Sequence, residues 1–268
     1  MFNLANLFTS FNLISGILAI VLAVTGHLFG ATMCVFAGGF FDFLDGFVAR
    51  LFKTSGELGK QLDSLADMVT FGVVPGVIMM VILTINFEEI QSSELMLVES
   101  AEIIKTSFSS WVDTLFNDFW NVNFLPLGAL LIPFFSLFRL AKFNLDTRQT
   151  TSFIGLPTPA NTLFFMTYPL VLILSAGSLD FFEILFNPYI IILLIVTMGL
   201  LMVSEIPLFS LKVSKMSFKG NEIRIIFLLI SLTLILLFKV WAIALIVFLY
   251  LILSVIENNF FNKRRNEI

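Results

Sequence analysis

Long apolar stretches follow one another along most of this chain, separated by short polar segments. A helix needs about 20 apolar residues to cross the hydrocarbon core of a bilayer. Eight stretches approach or reach that length: 8–26, 30–51, 62–85, 124–141, 159–177, 188–207, 223–239 and 241–257. The last two are separated only by Lys239 and Val240, so we expect them to form a tight hairpin. The pattern predicts an all-α integral membrane protein with about eight transmembrane helices.

The composition agrees with a membrane protein and excludes several soluble classes. Hydrophobic residues make up 58% of the 268 residues and charged residues 13%, whereas a soluble domain has about 45–50% and about 25%. So much apolar surface cannot be buried in one water-soluble core. The single cysteine, Cys34, excludes an intramolecular disulfide, and a net charge of −4 gives no basic surface for nucleic acid. We expect one membrane-embedded domain over residues 1–268 and no nucleic-acid partner.

The positions of lysine and arginine indicate how the helices cross the membrane. With eight spans, both termini lie on the same side, and all but two of the 15 basic residues fall on that side. Lys105 and Lys239 fall opposite. Because cytoplasmic segments are enriched in lysine and arginine, we expect both termini to be cytoplasmic. The protein is then a multi-pass protein of the inner (cytoplasmic) membrane.

One long connection, residues 86–123, falls on the side opposite to most basic residues. It carries seven acidic residues and one basic residue, Lys105. Apolar residues recur within it at helical spacing: Ile104, Phe108, Trp111, Leu115 and Phe119. We expect an extracytoplasmic insertion containing a short amphipathic helix that lies on the outer membrane surface.

Four carboxylates lie inside the predicted second and third spans. Asp42 and Asp45 are three residues apart near the end of one span, and Asp63 and Asp67 are four residues apart at the start of the next. Residues at these separations share a helix face, and the loop 52–61 between the spans is short. All four side chains can therefore converge on one site. An ionised carboxylate at membrane depth costs at least a few kcal/mol and is normally retained for function.

Four neighbouring carboxylates repel one another and need compensating positive charge. An all-oxygen ligand set favours Mg²⁺, Mn²⁺ or Ca²⁺ over zinc or copper, and two divalent ions would balance four charges. Two such ions are a common arrangement for phosphoryl transfer. Gly46 would let a ligand approach the backbone, and Arg50 suits a phosphate oxygen. Hydrogen bonding between helices, or a transporter of protons or cations, remains an alternative.

The spacing of these residues resembles the signature of the CDP-alcohol phosphotransferases. Within residues 42–67, every fixed position is present: Asp42-x2-Asp45-Gly46-x2-Ala49-Arg50-x8-Gly59-x3-Asp63-x3-Asp67. The resemblance implies a membrane enzyme with a core of six helices and a polar cavity that faces the cytoplasm. Such an enzyme displaces CMP from a CDP-linked lipid or alcohol with an incoming hydroxyl group.

The resemblance also implies a role for each signature residue. Asp42, Asp45 and Asp63 would bind metal, with two Mg²⁺ or Mn²⁺ ions expected. Asp67 would lie at the same metal site and act as the general base. Four residues would contact or make room for the CDP group: Gly46, Ala49, Arg50 and Gly59. The family resemblance further implies a homodimer.

Segments outside the signature bear on the acceptor alcohol. Residues 138–144 and 153–160 resemble segments of the serine-using bacterial and archaeal members of the family. They imply CDP-diacylglycerol as donor and L-serine as acceptor. Candidate acceptor-binding residues are Arg139, Asn144, Asn12 and Asn161, of which Arg139 could pair with the serine carboxylate. Glycerol 3-phosphate or another alcohol as acceptor, and an ether lipid as donor, remain alternatives.

Overall fold

A computed structural model describes residues 3–53, 56–85, 97–146, 153–174, 184–209 and 221–265, with the backbone alone for 97–100, 153 and 259–265. Its helices are α1 (Leu4–Val24), α2 (Leu28–Leu51), α3 (Glu57–Asp67), α4 (Val74–Leu83), α5 (Leu97–Asn117), α6 (Leu131–Leu145), α7 (Thr158–Leu174), α8 (Pro188–Val203), α9 (Glu222–Phe238) and α10 (Ala242–Arg265). Two short strands, β1 (Phe153–Ile154) and β2 (Pro207–Leu208), pair antiparallel with Phe153 opposite Leu208.

The helices coincide with the spans predicted from the hydrophobic pattern. Five helical stretches among the described residues are long and apolar enough to cross a membrane: Leu4–Val24, Leu28–Leu51, Glu57–Leu83, Leu125–Leu145 and Glu222–Asn258. Two shorter apolar helices, Thr158–Leu174 and Pro188–Val203, match the predicted fifth and sixth spans. The prediction of an all-helical, multi-pass membrane protein is confirmed.

The last of these stretches is a hairpin of α9 and α10. Lys239 lies between the two helices and has a positive φ of 49°. The rings of Phe227 on α9 and Tyr250 on α10 lie 6.1 Å apart, on opposite sides of this turn. The two helices therefore run antiparallel and pack on each other, as the sequence predicts.

The helix that carries Asp63 and Asp67 occupies the centre of the bundle. A π-helical segment, Met68–Val73, joins α3 to α4, so that Glu57–Leu83 forms one continuous rod. Helices α1, α2, α6 and α7 all contact this rod. On α4, Ile78, Met79 and Ile82 are fully buried. This rod is the most deeply buried of the five long stretches, and its apolar end, α4, is packed on several sides.

The π-helical segment is an irregularity that the hydrophobic pattern does not predict. Pro75 follows it and has no N–H to donate to the Phe71 carbonyl four residues earlier. The hydroxyl of Thr162 on α7 donates to that carbonyl at 2.8 Å. A neighbouring helix therefore satisfies the carbonyl that Pro75 cannot pair. Such π-helical turns occur frequently at functional sites.

Glycines let α1 and α2 approach the π-helical segment closely. A β-carbon on Gly38 of α2 would lie 2.7 Å from Cγ2 of Thr70 and 3.0 Å from Oδ1 of Asn12. A β-carbon on Gly16 of α1 would lie 2.6 Å from Oγ1 of Thr70. Thr70 is therefore enclosed between the two helices, three residues after Asp67.

A polar stripe on α10 holds strand β2 against the bundle. Tyr250 donates its hydroxyl to the Phe209 carbonyl at 2.9 Å, and the Phe209 N–H donates to Ser254 Oγ at 3.4 Å. One turn further on, the Asn258 side-chain amide donates to the Pro207 carbonyl. These three side chains are spaced four residues apart and share one face of α10. The α9–α10 hairpin thus stabilises the position of strand β2, which pairs with β1.

The long connection between α4 and α6 contains a helix, α5, at the end of the bundle where α1 turns into α2. A side chain at Gly26 in that turn would collide with the Ala101 carbonyl, so α5 crosses directly over it. Of the apolar residues predicted at helical spacing, Ile104 and Trp111 are buried, whereas Phe119 is exposed and lies beyond the end of the helix at Asn117. At 21 residues α5 is also longer than the short helix expected. Residues 86–96 of the connection lie outside the described residues.

Adjacent glycines on α2 offer a matched test of this packing. We expect Gly38→Ala to lower the apparent Tm in detergent, because overpacking a filled site costs about 1–3 kcal/mol. Gly39→Ala should leave the Tm unchanged or raise it. The nearest atoms to its β-carbon would lie 3.7 Å away, and alanine is the better helix former by up to about 1 kcal/mol. Equal Tm values for the two variants would contradict the close approach of α2 to Thr70.

Candidate functional site

Three of the four predicted carboxylates meet at one end of the bundle. Asp42 lies near the end of α2, and Asp63 and Asp67 lie on α3. One carboxylate oxygen from each of these three residues lies within 4.8 Å of the others. All three side chains are partly buried. Carboxylates from two neighbouring helices thus form one compact acidic group.

The fourth carboxylate, Asp45, is held beside this group by helix α1. It is 6% exposed and lies outside the three-residue group. The hydroxyl of Thr9 on α1 donates to Asp45 Oδ2 at 2.6 Å. Asp45 is therefore a buried carboxylate with its own hydrogen-bond donor.

Helix α1 also supplies a donor to Asp67. The side-chain amide of Asn12 donates from Nδ2 to Asp67 Oδ1 at 3.1 Å. Asn12 is fully buried, and its backbone carbonyl accepts a hydrogen bond from Thr70 Oγ1 at 3.0 Å. Thr70 thereby ties α1 to the π-helical segment that follows Asp67.

The acidic group fits a divalent metal ion. Oδ1 of Asp63 is buried and has no hydrogen-bond partner within the described part of the chain. Buried polar atoms in native structures nearly always have a partner, and a cation would supply one. Carboxylate oxygens are the ligands that Mg²⁺ and Mn²⁺ prefer. The residues present could therefore hold such an ion.

The predicted CDP-binding residues lie along the ends of α2 and α3. A β-carbon on Gly46 would meet only Arg50 Nη2, at 3.8 Å, so the backbone there is accessible. Arg50 is exposed, Ala49 is partly exposed, and Gly59 of α3 faces Asn6 Oδ1 of α1.

An apolar crevice opens beside these residues, between the start of α1 and the end of α2. Its volume is about 270 Å³, and it is lined by Leu4, Ala5, Val48 and Phe52. Ala5 and Val48 lie about one helical turn from Thr9 and Asp45, so the crevice adjoins the buried carboxylate.

The end of α6 contributes two of the predicted acceptor-binding residues. Asn144 is exposed and donates from Nδ2 to Ser64 Oγ at 2.8 Å, next to Asp63 on α3. Arg139 is buried, and its Nε donates to the Leu156 carbonyl at 3.2 Å. The ring of Phe143 lies 5.4 Å from the Arg139 guanidinium carbon. The structure thus places Asn144 close to the acidic group and ties Arg139 to the segment after β1.

That segment turns sharply into α7. Gly155 has φ 77°, and a β-carbon there would lie 2.8 Å from the Ser204 carbonyl, so glycine is required. The Leu156 N–H donates to the Leu201 carbonyl at 3.0 Å, which fixes the segment to the end of α8. Asn161, in the first turn of α7, is buried, and its Oδ1 has no partner among the described residues.

Several residues at the site are missing from the sequence-based prediction. Thr9 binds Asp45, Ser64 binds Asn144, and Thr70 and Thr162 hold the π-helical segment. The sequence does contain a pattern that could have identified Thr9. Thr9 stands three residues before Asn12 in an otherwise apolar helix, so both polar side chains share one face.

The chain belongs to the CDP-alcohol phosphatidyltransferase family, because a sequence model of that family matches residues 2–203. The match runs from the start of the chain to the end of α8, and the α9–α10 hairpin lies beyond it. The protein is therefore a membrane-embedded phosphatidyltransferase. Members of this family use divalent metal ions, in agreement with the acidic group.

Individual relatives share about 30% sequence identity with this chain. The CDP-diacylglycerol–serine O-phosphatidyltransferase of Helicobacter pylori is 29% identical over 273 residues, which cover 97% of this chain and 95% of the relative. The enzyme of the same name from Bacillus subtilis is 30% identical over 148 residues, 55% of this chain and 64% of the relative. An archaetidylserine synthase from Methanothermobacter thermautotrophicus is 31% identical over 160 residues, 58% of this chain and 53% of the relative. The last two matches span less than two thirds of those relatives.

Metal binding can be tested separately from catalysis. We expect the purified protein to bind Mn²⁺, measured by loss of the free-ion EPR signal, and Asp63→Asn to weaken that binding more than about tenfold. Losing a direct ligand should cost at least as much as the 10–100-fold that follows loss of a ligand's hydrogen-bond partner. Glu57→Gln, at an exposed acid on the same helix, is the matched control. Unchanged affinity in Asp63→Asn would show that the ion binds elsewhere.

Proposed function

We propose that the protein transfers the phosphatidyl group of CDP-diacylglycerol to the hydroxyl of L-serine, giving phosphatidylserine and CMP. The observation that carries this proposal is the group formed by Asp42, Asp63 and Asp67 in a chain of this family. Serine as the acceptor is supported by the name of the Helicobacter relative, whose similarity covers nearly the whole chain.

The proposed reaction is a single displacement. The serine oxygen forms a bond to the phosphorus that bears diacylglycerol, and the bond from that phosphorus to the CMP oxygen breaks. Asp67 accepts the proton of the serine hydroxyl as general base. Two divalent ions held by Asp42, Asp45, Asp63 and Asp67 would neutralise the diphosphate charge. Placing the hydroxyl next to the phosphorus supplies much of the remaining rate enhancement.

The donor is proposed to lie along the ends of α1 and α2. Arg50 is exposed and would bind a phosphate oxygen, while Gly46, Ala49 and Gly59 leave room for the rest of the CDP group. The apolar crevice beside Val48 would contact an apolar part of the lipid.

The acceptor is proposed to bind between α3, α6 and α7. Asn144 lies beside the acidic group through its bond to Ser64. Asn161 Oδ1 is a buried acceptor suited to an ammonium group. Arg139 would supply the positive charge for the serine carboxylate.

The site is proposed to face the cytoplasm, in the inner (cytoplasmic) membrane, with both termini on the same side. Basic residues near the acidic end, such as Arg50, Lys60 and Lys142, support this orientation. Helix α5 lies at the opposite end of α1 and α2, which supports residues 86–123 as an extracytoplasmic insertion in the single domain 1–268. A homodimer is also proposed, on the family resemblance alone.

A second candidate uses the same chemistry with an ether-lipid donor. The archaetidylserine synthase among the relatives favours it. The crevice lined by Leu4, Ala5, Val48 and Phe52 is apolar and would accept either lipid. Supplying both donors to the purified protein separates the two candidates.

A CMP-release assay tests the reaction and the acceptor together. We expect the purified protein with Mn²⁺ or Mg²⁺ to release CMP from CDP-diacylglycerol when serine is present, and EDTA to abolish release. Parallel reactions contain glycerol 3-phosphate or no acceptor. Release with glycerol 3-phosphate alone would contradict serine as the acceptor, and release from the ether lipid alone would favour the second candidate.

The general-base role of Asp67 is tested by Asp67→Asn. This variant keeps the shape of the side chain and should fold and insert normally. Its kcat should fall about 10²–10⁴-fold, the usual contribution of general acid–base catalysis. Asp113→Asn, at an exposed acid on α5, should retain wild-type turnover. A kcat for Asp67→Asn near that of the wild type would show that another group takes the proton.

A further inference from the structure

Helix α1 presents two polar side chains to the acidic site. Thr9 donates to Asp45 at 2.6 Å, and Asn12 donates to Asp67 at 3.1 Å. The two residues are three positions apart and share one face of the helix. Because α1 packs against α2 and also against α3, one helix contacts carboxylates that belong to two others.

The Asn12 amide is enclosed on every side that the described residues define. The residue is 0% exposed. Its Oδ1 faces Gly38 of α2, where an added β-carbon would lie only 3.0 Å away. Its backbone carbonyl is held by Thr70, which is itself enclosed between α1 and α2. A serine molecule arriving from the aqueous side therefore has no access to this amide in the observed arrangement.

The orientation of the amide is fixed by charge. With Nδ2 toward Asp67, the N–H group donates to a carboxylate oxygen. The reversed amide would place Oδ1 against that oxygen, so two acceptors would face each other without a proton between them. The observed orientation leaves Oδ1 buried without a partner among the described residues. The bond to Asp67 is thus the one polar contact that the Asn12 side chain makes in the described structure.

We propose that Asn12 is a positioning residue that orients the Asp67 carboxylate, and that it does not bind the acceptor. Asp67 Oδ1 is held by the amide, and the carboxylate is thereby turned toward Asp42 and Asp63. Hydrogen-bond partners of metal-binding groups act in this way, and their loss usually costs 10–100-fold in metal affinity or activity. The inference rests on the proposed function only in giving Asp67 a role at the metal and the reacting hydroxyl.

The test compares Asn12→Ala and Asn12→Asp with the wild type in the purified full-length protein. The aspartate variant keeps the side-chain shape and replaces the amide donor with a second carboxyl group facing Asp67, so that the two groups either repel each other or share a proton. Three quantities are measured: kcat at saturating serine, the KM for serine, and Mn²⁺ affinity by EPR in the absence of both substrates. Ser10→Ala is the matched control, since Ser10 lies on the exposed face of α1 and its hydroxyl donates to the Asn6 carbonyl of the same helix, at 2.9 Å.

We expect both Asn12 variants to lose about 10–100-fold in kcat, in Mn²⁺ affinity or in both. The KM for serine should stay within about twofold of the wild type, because ground-state binding of the acceptor is untouched. Ser10→Ala should match the wild type in all three quantities. If instead the KM for serine rises while kcat and Mn²⁺ affinity hold, Asn12 binds the acceptor and the inference is wrong.

Unchanged values in all three quantities would equally overturn the positioning role. If Asn12→Ala does not fold, the near-isosteric variant Asn12→Asp provides the test of the positioning role. A wild-type protein that releases CMP only with another alcohol would overturn serine as the acceptor. The role of Asn12 would still be decided, because the Mn²⁺ measurement needs no acceptor and kcat can be measured with the alcohol that supports CMP release.

Discussion

The structure depends on gathering like-charged carboxylates inside a bundle of apolar helices. Asp42, Asp63 and Asp67 approach within 4.8 Å, although each alone would favour water. Repulsion between them opposes that arrangement, so the surrounding helices must hold the acidic ends in place. The rod formed by α3, the π-helical segment and α4 does this from the centre, because its apolar end is packed on several sides. Stability at one end of the rod is what allows charge to be concentrated at the other.

Helix α1 connects the packing to the chemistry. Its glycine, Gly16, admits Thr70, and its polar face reaches Asp45 and Asp67 through Thr9 and Asn12. The same hydroxyl of Thr70 that fills the space beside Gly16 also binds the Asn12 carbonyl. Close packing and side-chain orientation are therefore set by the same contacts. A small displacement of α1 would change both carboxylate partners together.

The far side of the site is organised by backbone contacts rather than by charge. Arg139 and the end of α8 both bind the backbone of Leu156, Arg139 through the Leu156 carbonyl and α8 through the Leu156 N–H. The short strand before it pairs with β2, and β2 is held by a polar stripe on α10. The α9–α10 hairpin lies beyond the residues that match the family. Its contact with β2 nevertheless links it to the segment that borders the proposed acceptor site.

The lengths of the apolar stretches were enough to predict the helices and the hairpin at Lys239, since crossing a bilayer fixes the length and composition of a helix. The spacing of the acidic residues was enough to predict a shared site, because helical periodicity places such residues on one face. The family was predicted from the resemblance of residues 42–67 to a known signature, and the family model confirms it. Sequence spacing could not show that Asp45 is paired with Thr9 apart from the other three acids, or that Asn12 faces Asp67. Nor could it show the π-helical segment, whose Phe71 carbonyl accepts a hydrogen bond from α7. These features arise from contacts between helices that are distant in the chain, and only the tertiary packing decides which polar side chains meet.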